Sequence, residues 1–178
     1  MGQSQGQLTQ AVGVIGLGSM GFGVAHALLN AGFQVHACDV RSEVLDRFAA
    51  LGGLIARTPA QLDEKDEAMI VLVVDARQMD TVLFGEHGAA AAMRKGAVII
   101  SSATVAPAYA VQLGERLKAM GLLNIDAPVS GGSVKAAEGQ LSVMAAGSAQ
   151  AFEKCQAIFD AIAAKLYRLG DAPGQGST

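Results

Sequence analysis

Between Val12 and Arg41 the chain reads V-G-V-I-G-L-G-S-M-G-F-G-V-A-H-A-L-L-N-A-G-F-Q-V-H-A-C-D-V-R. A short β-branched run is stopped by glycine, and two more glycines follow at 18 and 21. Apolar residues then recur at helical spacing, with Phe22, Ala25, Leu28 and Leu29 on one face and Gly32 suited to the C-terminal cap. A second apolar run, Phe33 to Cys38, ends on Asp39. Strand, tight turn, helix and strand is the order this predicts, and it is a narrow constraint on the fold.

G-x-G-x-x-G alone is a weak motif in a chain with 22 glycines. Here it follows a predicted strand, opens a predicted helix and has an acid at the end of the next strand, which together make a dinucleotide fingerprint. Gly16 permits the tight turn, Gly18 lets backbone N–H groups approach a pyrophosphate, and Gly21 lets helix and strand pack closely. The expected cofactor-binding turn is Gly16, Leu17, Gly18, Ser19, Met20 and Gly21, with the helix N-terminus facing the phosphates. Asp39, followed by Val40 and Arg41, is expected at the adenosine ribose. Its charge favours NAD over NADP, while the Arg41 guanidinium, able to take a 2′-phosphate, weakens that preference. The competing reading is a turn with no ligand and an ordinary surface aspartate.

Further along, Ser42 can cap a helix that ends at Gly52-Gly53, and Leu54 to Ala56 forms a short strand. Thr58-Pro59 opens a brief polar helix to about Asp66. Ala68 to Val74 is the central strand by composition, Asp75 caps the next helix, and Ala97 to Ile100 is another buried strand. A helix from Ala106 to Met120, a strand from Leu122 to Asp126, and strands at Gln140 to Ala145 and Lys165 to Leu169 flanking a helix capped by Ser148 complete the pattern. Strands alternating with helices at this spacing predict an α/β fold of the Rossmann type, a doubly wound, mostly parallel sheet with helices on both faces.

Composition agrees, since 51% of the 178 residues are hydrophobic and only 16% are charged. The net charge of -3 and the lack of any basic cluster interleaved with aromatics argue against nucleic acid as a partner. Cys38 and Cys155 lie far apart with no metal-ligand spacing, so two reduced thiols in a cytoplasmic protein are expected, and no metal. Residues 1–10 read as a disordered polar tail without signal-peptide character, 11–170 as the nucleotide-binding domain, and 171–178 as the start of a linker. No apolar run is long enough to span a membrane.

G-V-I-G-L-G-S-M-G-F-G-V-A-H-A-L-L-N-A-G, I-I-S-S-A-T-V-A-P and I-D-A-P-V-S-G-G-S-V-K-A-A-E-G-Q-L-S-V-M-A-A-G together resemble the cofactor domain of the β-hydroxyacid dehydrogenases. That family includes 3-hydroxyisobutyrate, tartronate semialdehyde and 6-phosphogluconate dehydrogenases, and the likeness runs from about Val12 to Thr178. Within it, L-V-V-D-A-R-Q-M-D-T-V-L-F-G-E-H-G and the D-A-P-V-S-G-G stretch look most like the branch that oxidises the four-carbon sugar acid L-threonate with NAD. Tartronate semialdehyde reduction and 3-hydroxyisobutyrate oxidation are the alternatives, the latter disfavoured by Val74-Asp75 where proline is common. The resemblance implies that Ser130, Gly131 and Gly132 grip a small hydroxyacid substrate. It implies also that Val73, Val74, Gln78 and Thr104 lie on the cofactor side, although Ser101-Ser102-Ala103-Thr104 departs from the family's D-S-S-T pattern, with the Asp among the residues replaced.

Each of these has a plainer reading: Ser130 to Gly132 as a simple loop, Thr104 as a helix-entry residue. His26, His36 and His87 read as non-catalytic, and Asp63, Glu64, Asp66 and Glu67 as a solvated helix end. No catalytic residue is expected within the chain. The family's general-base lysine, in a G-x-G-x-x-x-K pattern matched by Gly174 and Gly176, falls just after Thr178 and opens an all-helical second domain, which in the family also builds a homo-oligomer. Two other classes stand beside this reading: a non-catalytic NAD(H)-sensing module, and an imine reductase-like enzyme, against which Asp39 and D-A-P-V-S-G-G speak.

Overall fold

The computed structural model describes residues 10–62 and 66–176. Its elements are β1 (Ala11–Ile15), α1 (Ser19–Asn30), β2 (Gln34–Cys38), α2 (Ser42–Ala50), β3 (Leu54–Ala56), β4 (Ala68–Val71), α3 (Ala76–Phe84) and β5 (Val98–Ser101). They continue with α4 (Pro107–Ala119), β6 (Leu123–Asp126), β7 (Val129–Ser130), α5 (Gly132–Ala137), β8 (Leu141–Gly147), α6 (Ala149–Ile162) and β9 (Ala163–Gly170). The sheet runs β3-β2-β1-β4-β5-β6-β8-β7, with β9 on the other side of β8. From β3 to β6 every pairing is parallel. The expected doubly wound α/β architecture is present.

Strand alternation divides the core in two. Val12, Val14, Ile70, Ile100 and Ile125 face the layer that holds Val24 and Leu28 of α1 and Ile158 and Phe159 of α6. Met69, Val71 and Ile99 face the opposite layer with Met79 of α3 and Leu113 and Leu117 of α4. Both sheet faces are therefore covered, which is why the central strands carry no polar alternation. Side chains such as Leu28, Phe48, Ile70 and Leu117, all buried to within 2% exposure, contribute about 1.5–3 kcal/mol each relative to exposure.

Three sequence expectations are corrected. The central strand stops at Val71, not Val74: the Val74 N–H is taken by the Gln78 side chain, and Asp75 caps α3 by accepting from the Gln78 N–H. The polar helix after Pro59 is a single 3-10 turn, Pro59–Gln61. Asp66 is not solvated but 1% exposed, with Oδ1 3.0 Å from His36 Nδ1; Asp63, Glu64 and Lys65 lie outside the described residues. Gly13, between the two in the sheet, carries no side chain to block that approach, since a Cβ there would sit 3.2 Å from Asp66 Oδ2. The Ser130 to Gly132 loop joins β7, which ends at Ser130, to α5, which begins at Gly132. β8 returns antiparallel to β6 and β7, so the sheet's last third departs from the parallel pattern.

Candidate dinucleotide and substrate site

In a parallel sheet all strand carboxyl ends lie on one edge, and ligands bind where the chain departs from one strand to either side. Here β1 is that strand, because β2 and β3 lie on one side of it and β4 on the other. Gly16 to Gly21 after β1, Leu72 to Asp75 after β4, Ser102 to Thr104 after β5 and Ala127 to Gly132 after β6 all occupy this edge. The loops are tied to the strands beneath them: Leu72 N–H donates to Ile15 O, Ser102 N–H to Val71 O and Ala127 N–H to Ser101 O.

The glycine turn has the form its sequence demands. Gly16 sits at φ 94°, where only glycine is unstrained, and a Cβ on it would collide with the Leu72 carbonyl. A Cβ on Gly21 would strike the Gly16 carbonyl, so its absence permits α1 to close on the turn. Gly18 differs: a Cβ there would meet nothing within 4 Å, so the space above it is open. Gly18 is the N-terminal cap of α1, and no side chain caps the helix. The N–H groups of a helix's first turn lack intrahelical acceptors. An uncapped, exposed helix start beneath open space fits a pyrophosphate, which the N–H groups and the helix dipole would hold together. Ser19 is exposed and Met20 half-buried beside it, while Leu17 is buried and anchors the turn in the core.

Asp39 is more committed than the sequence suggests. Its Oδ2 accepts from the Leu17 N–H at 2.8 Å, and its Oδ1 accepts from the Arg41 N–H at 2.9 Å and Arg41 Nε at 3.0 Å. Arg41 Nη2 adds bonds to Oδ2 and to the Leu17 carbonyl. Burial pushes the Asp39 carboxyl up, but the hydrogen bonds from Arg41 and Leu17 and the Arg41 charge outweigh it and hold the group below the usual carboxylate range. The carboxylate, 7% exposed, thus locks the turn to β2, while the guanidinium, 55% exposed, presents its Nη1 with no hydrogen bond among the described residues. Val40, wholly exposed, and Ser42, Glu43, Val44 and Arg47 line an open cavity of about 520 Å³ with Arg41.

On the far side of the turn, Val73 is half-buried, and Val74, Gln78 and Thr104 are exposed at the sheet edge. Ser130, Gly131 and Gly132 are also exposed there, the two glycines at φ 140° and 79°. α5 leans on α1 so closely that a Cβ on Gly23 would come within 2.7 Å of the Ala136 Cβ. The helix that follows the glycine turn and the helix that follows the Ser130 to Gly132 loop are therefore in direct contact. That contact was not read from the sequence, although Gly23 in mid-helix was its signal.

The histidines do not join the site: His26 lies within α1, His87 is exposed in the turn after α3, and His36 is bonded to Asp66 ahead of β4, at the opposite edge. Tyr109 donates to Asp80 Oδ1 at 2.7 Å, and Arg116 donates to the same atom from above the Phe84 ring. Burial first, then Asp80, raises the Tyr109 phenol far above its usual value, as befits a pin between α3 and α4 rather than an acid. Among the described residues no three His, Cys, Asp or Glu side chains are grouped as a metal site.

A family model for the NAD-binding domain of 6-phosphogluconate dehydrogenase matches residues 11–170. An L-threonate dehydrogenase of Cupriavidus necator is 53% identical over 96% of this chain and 57% of its own length. A 2-hydroxy-3-oxopropionate reductase of Escherichia coli is 34% identical over 94% of the chain and 56% of its own. A solved structure from Salmonella typhimurium described as 3-hydroxyisobutyrate dehydrogenase superposes with a TM-score of 0.91 at 39% identity, over 94% of this chain and 59% of that one. This chain thus spans a little over half the length of these relatives. The chain belongs to the β-hydroxyacid dehydrogenase family, as an NAD-binding domain of the 6-phosphogluconate dehydrogenase type.

Proposed function

We propose that this chain is the cofactor-binding part of an NAD-dependent L-threonate dehydrogenase. The observation that carries the reading is the convergence, on one sheet edge, of the uncapped α1 start under open space and the exposed Ser130 to Gly132 loop braced on α1 through α5. The 53% identity to an L-threonate dehydrogenase supports the choice of substrate; reduction of tartronate semialdehyde and oxidation of 3-hydroxyisobutyrate are the alternatives within the family.

In this reading the N–H groups at the start of α1 hold the pyrophosphate, and the Asp39–Arg41 pair faces the adenosine ribose. Val73, Val74, Gln78 and Thr104 flank the other half of the dinucleotide. Ser130 and the N–H groups of Gly131 and Gly132 orient the substrate carboxylate, removing much of the entropic cost of encounter. Once bound, NAD supplies the hydride acceptor. The hydroxyl proton leaves to the lysine that the family pattern places just after Thr178. Residues 1–178 bind NAD, and the whole enzyme is a cytoplasmic homo-oligomer.

The test is NADH production by the protein extended through its helical domain, offered L-threonate, D-threonate, 3-hydroxyisobutyrate or D-glycerate with NAD or NADP. A marked preference for L-threonate with NAD is expected. Activity on another acid alone would replace the substrate, and NADH binding without oxidation of any acid would turn the reading toward an NAD(H) sensor.

A further inference from the structure

The segment after β9, residues 171–176, turns back across the domain and is packed there. Gly174 and Gly176 are buried. Gly176 lies against the backbone carbonyls of Asp126 and Met144, where a Cβ would come within 2.7 and 3.0 Å. Gly174 faces α4, where a Cβ would approach Val111 to 2.6 Å, and Pro173 fills the space left by Gly114 on the same helix. At the centre, the Gly174 N–H donates to Asp126 Oδ2 at 3.0 Å in a buried bond spanning 48 residues.

Asp126 is 1% exposed and ends β6, four residues ahead of Ser130. Packing alone does not call for a carboxylate at a strand end this deeply buried, since burying a charge is costly without strong partners. A backbone N–H aimed at a carboxylate is such a partner. Gly174 at φ 99° gives the turn the conformation that aims its N–H at that oxygen.

We propose that Asp126 is a positioning residue: its carboxylate anchors the Gly174 to Gly176 turn to the root of the Ser130 to Gly132 loop. The Gly174 to Gly176 turn is then held at a fixed place relative to the Ser130 to Gly132 loop. This rests on the proposed function, in which the chain beyond that turn carries the general base. The cofactor turn lies on the other side of β4 and β5 and is untouched by the anchor.

Two measurements test it. In residues 1–178, amide exchange at Gly174 is expected to be slow, as for a core amide; exchange at the rate of an open loop would overturn the anchor. In the extended protein, Asp126→Ala is expected to lower kcat on the order of tenfold to a hundredfold, with NADH affinity held within about twofold because the sites are separate. Asp126→Asn, which keeps an acceptor oxygen in place, is expected to restore most of the loss. Full kcat in an Asp126→Ala protein that binds NADH would overturn the proposal. Should Asp126→Ala fail to bind NADH, Gly174 exchange and the Asn variant decide: kcat lost in Asp126→Asn together with fast exchange would overturn it. A parent protein inactive on every acid would defeat the functional reading, while Gly174 exchange still decided the anchor.

Discussion

Arg41 shows how one residue can change what its neighbour does. Spacing places an acid, Asp39, just after β2, where a ribose is expected, and in the structure its two oxygens are taken up by Arg41 and the Leu17 N–H. No spacing rule says that a guanidinium two residues on will fold back. The clamp makes a pH prediction: the Asp39 carboxyl titrates lower when folded than its ordinary 3.8, so its stabilisation is present above about pH 4 and lost as pH falls through the folded value. The gap in urea midpoint between the wild type and Asp39→Asn should be constant near neutrality and close on acidification below that point; a constant gap at all pH values would show the clamp to be inert. Arg41→Gln should weaken NADPH binding by roughly tenfold through loss of one charge-assisted contact while leaving NADH within a factor of a few, read by nucleotide fluorescence titration.

Among elements, α1 carries the most consequence. Its start was readable because three glycines and a helical apolar stripe can serve few other geometries, and Gly16, Gly18 and Gly21 each meet a distinct steric situation. The pairing of α1 with α5 was not readable, because residues 132–137 form a helix too short to show periodicity and α1 met it through the bare backbone of Gly23. Gly23→Val should destabilise the domain by about 1–3 kcal/mol through overpacking against Ala136 and Ala137, measured by denaturant unfolding. An unchanged midpoint would mean that α5 moves aside at no cost. The Asp66–His36 pair escaped for a related reason: acids in a run read as solvated, and only the sheet brings β2 and the approach to β4 to either side of Gly13.

At the scale of the whole molecule, the two-layer core protects both thiols. Burial, with Asp39 adding to it, raises the Cys38 thiol to about 11, and burial raises Cys155 to about 12 against a smaller opposing effect of Lys154. Neither should react with a thiol reagent at about pH 8 until the chain unfolds, when both become available; prompt labelling of the folded chain would contradict the burial. Among the described residues no helix is long and apolar enough to cross a membrane. The sequence by itself determined the alternation of elements, the parallel sheet through β6 and the glycine turn that follows its first strand, because these follow from local periodicity and from steric demands met within a few residues. Tertiary structure alone decided the Arg41 clamp, the α1–α5 contact, the antiparallel return of β8 and the Asp126–Gly174 bond. Each joins groups whose meeting depends on the path of the intervening chain, or on a side chain's choice among several reachable partners, and neither is written in residue spacing.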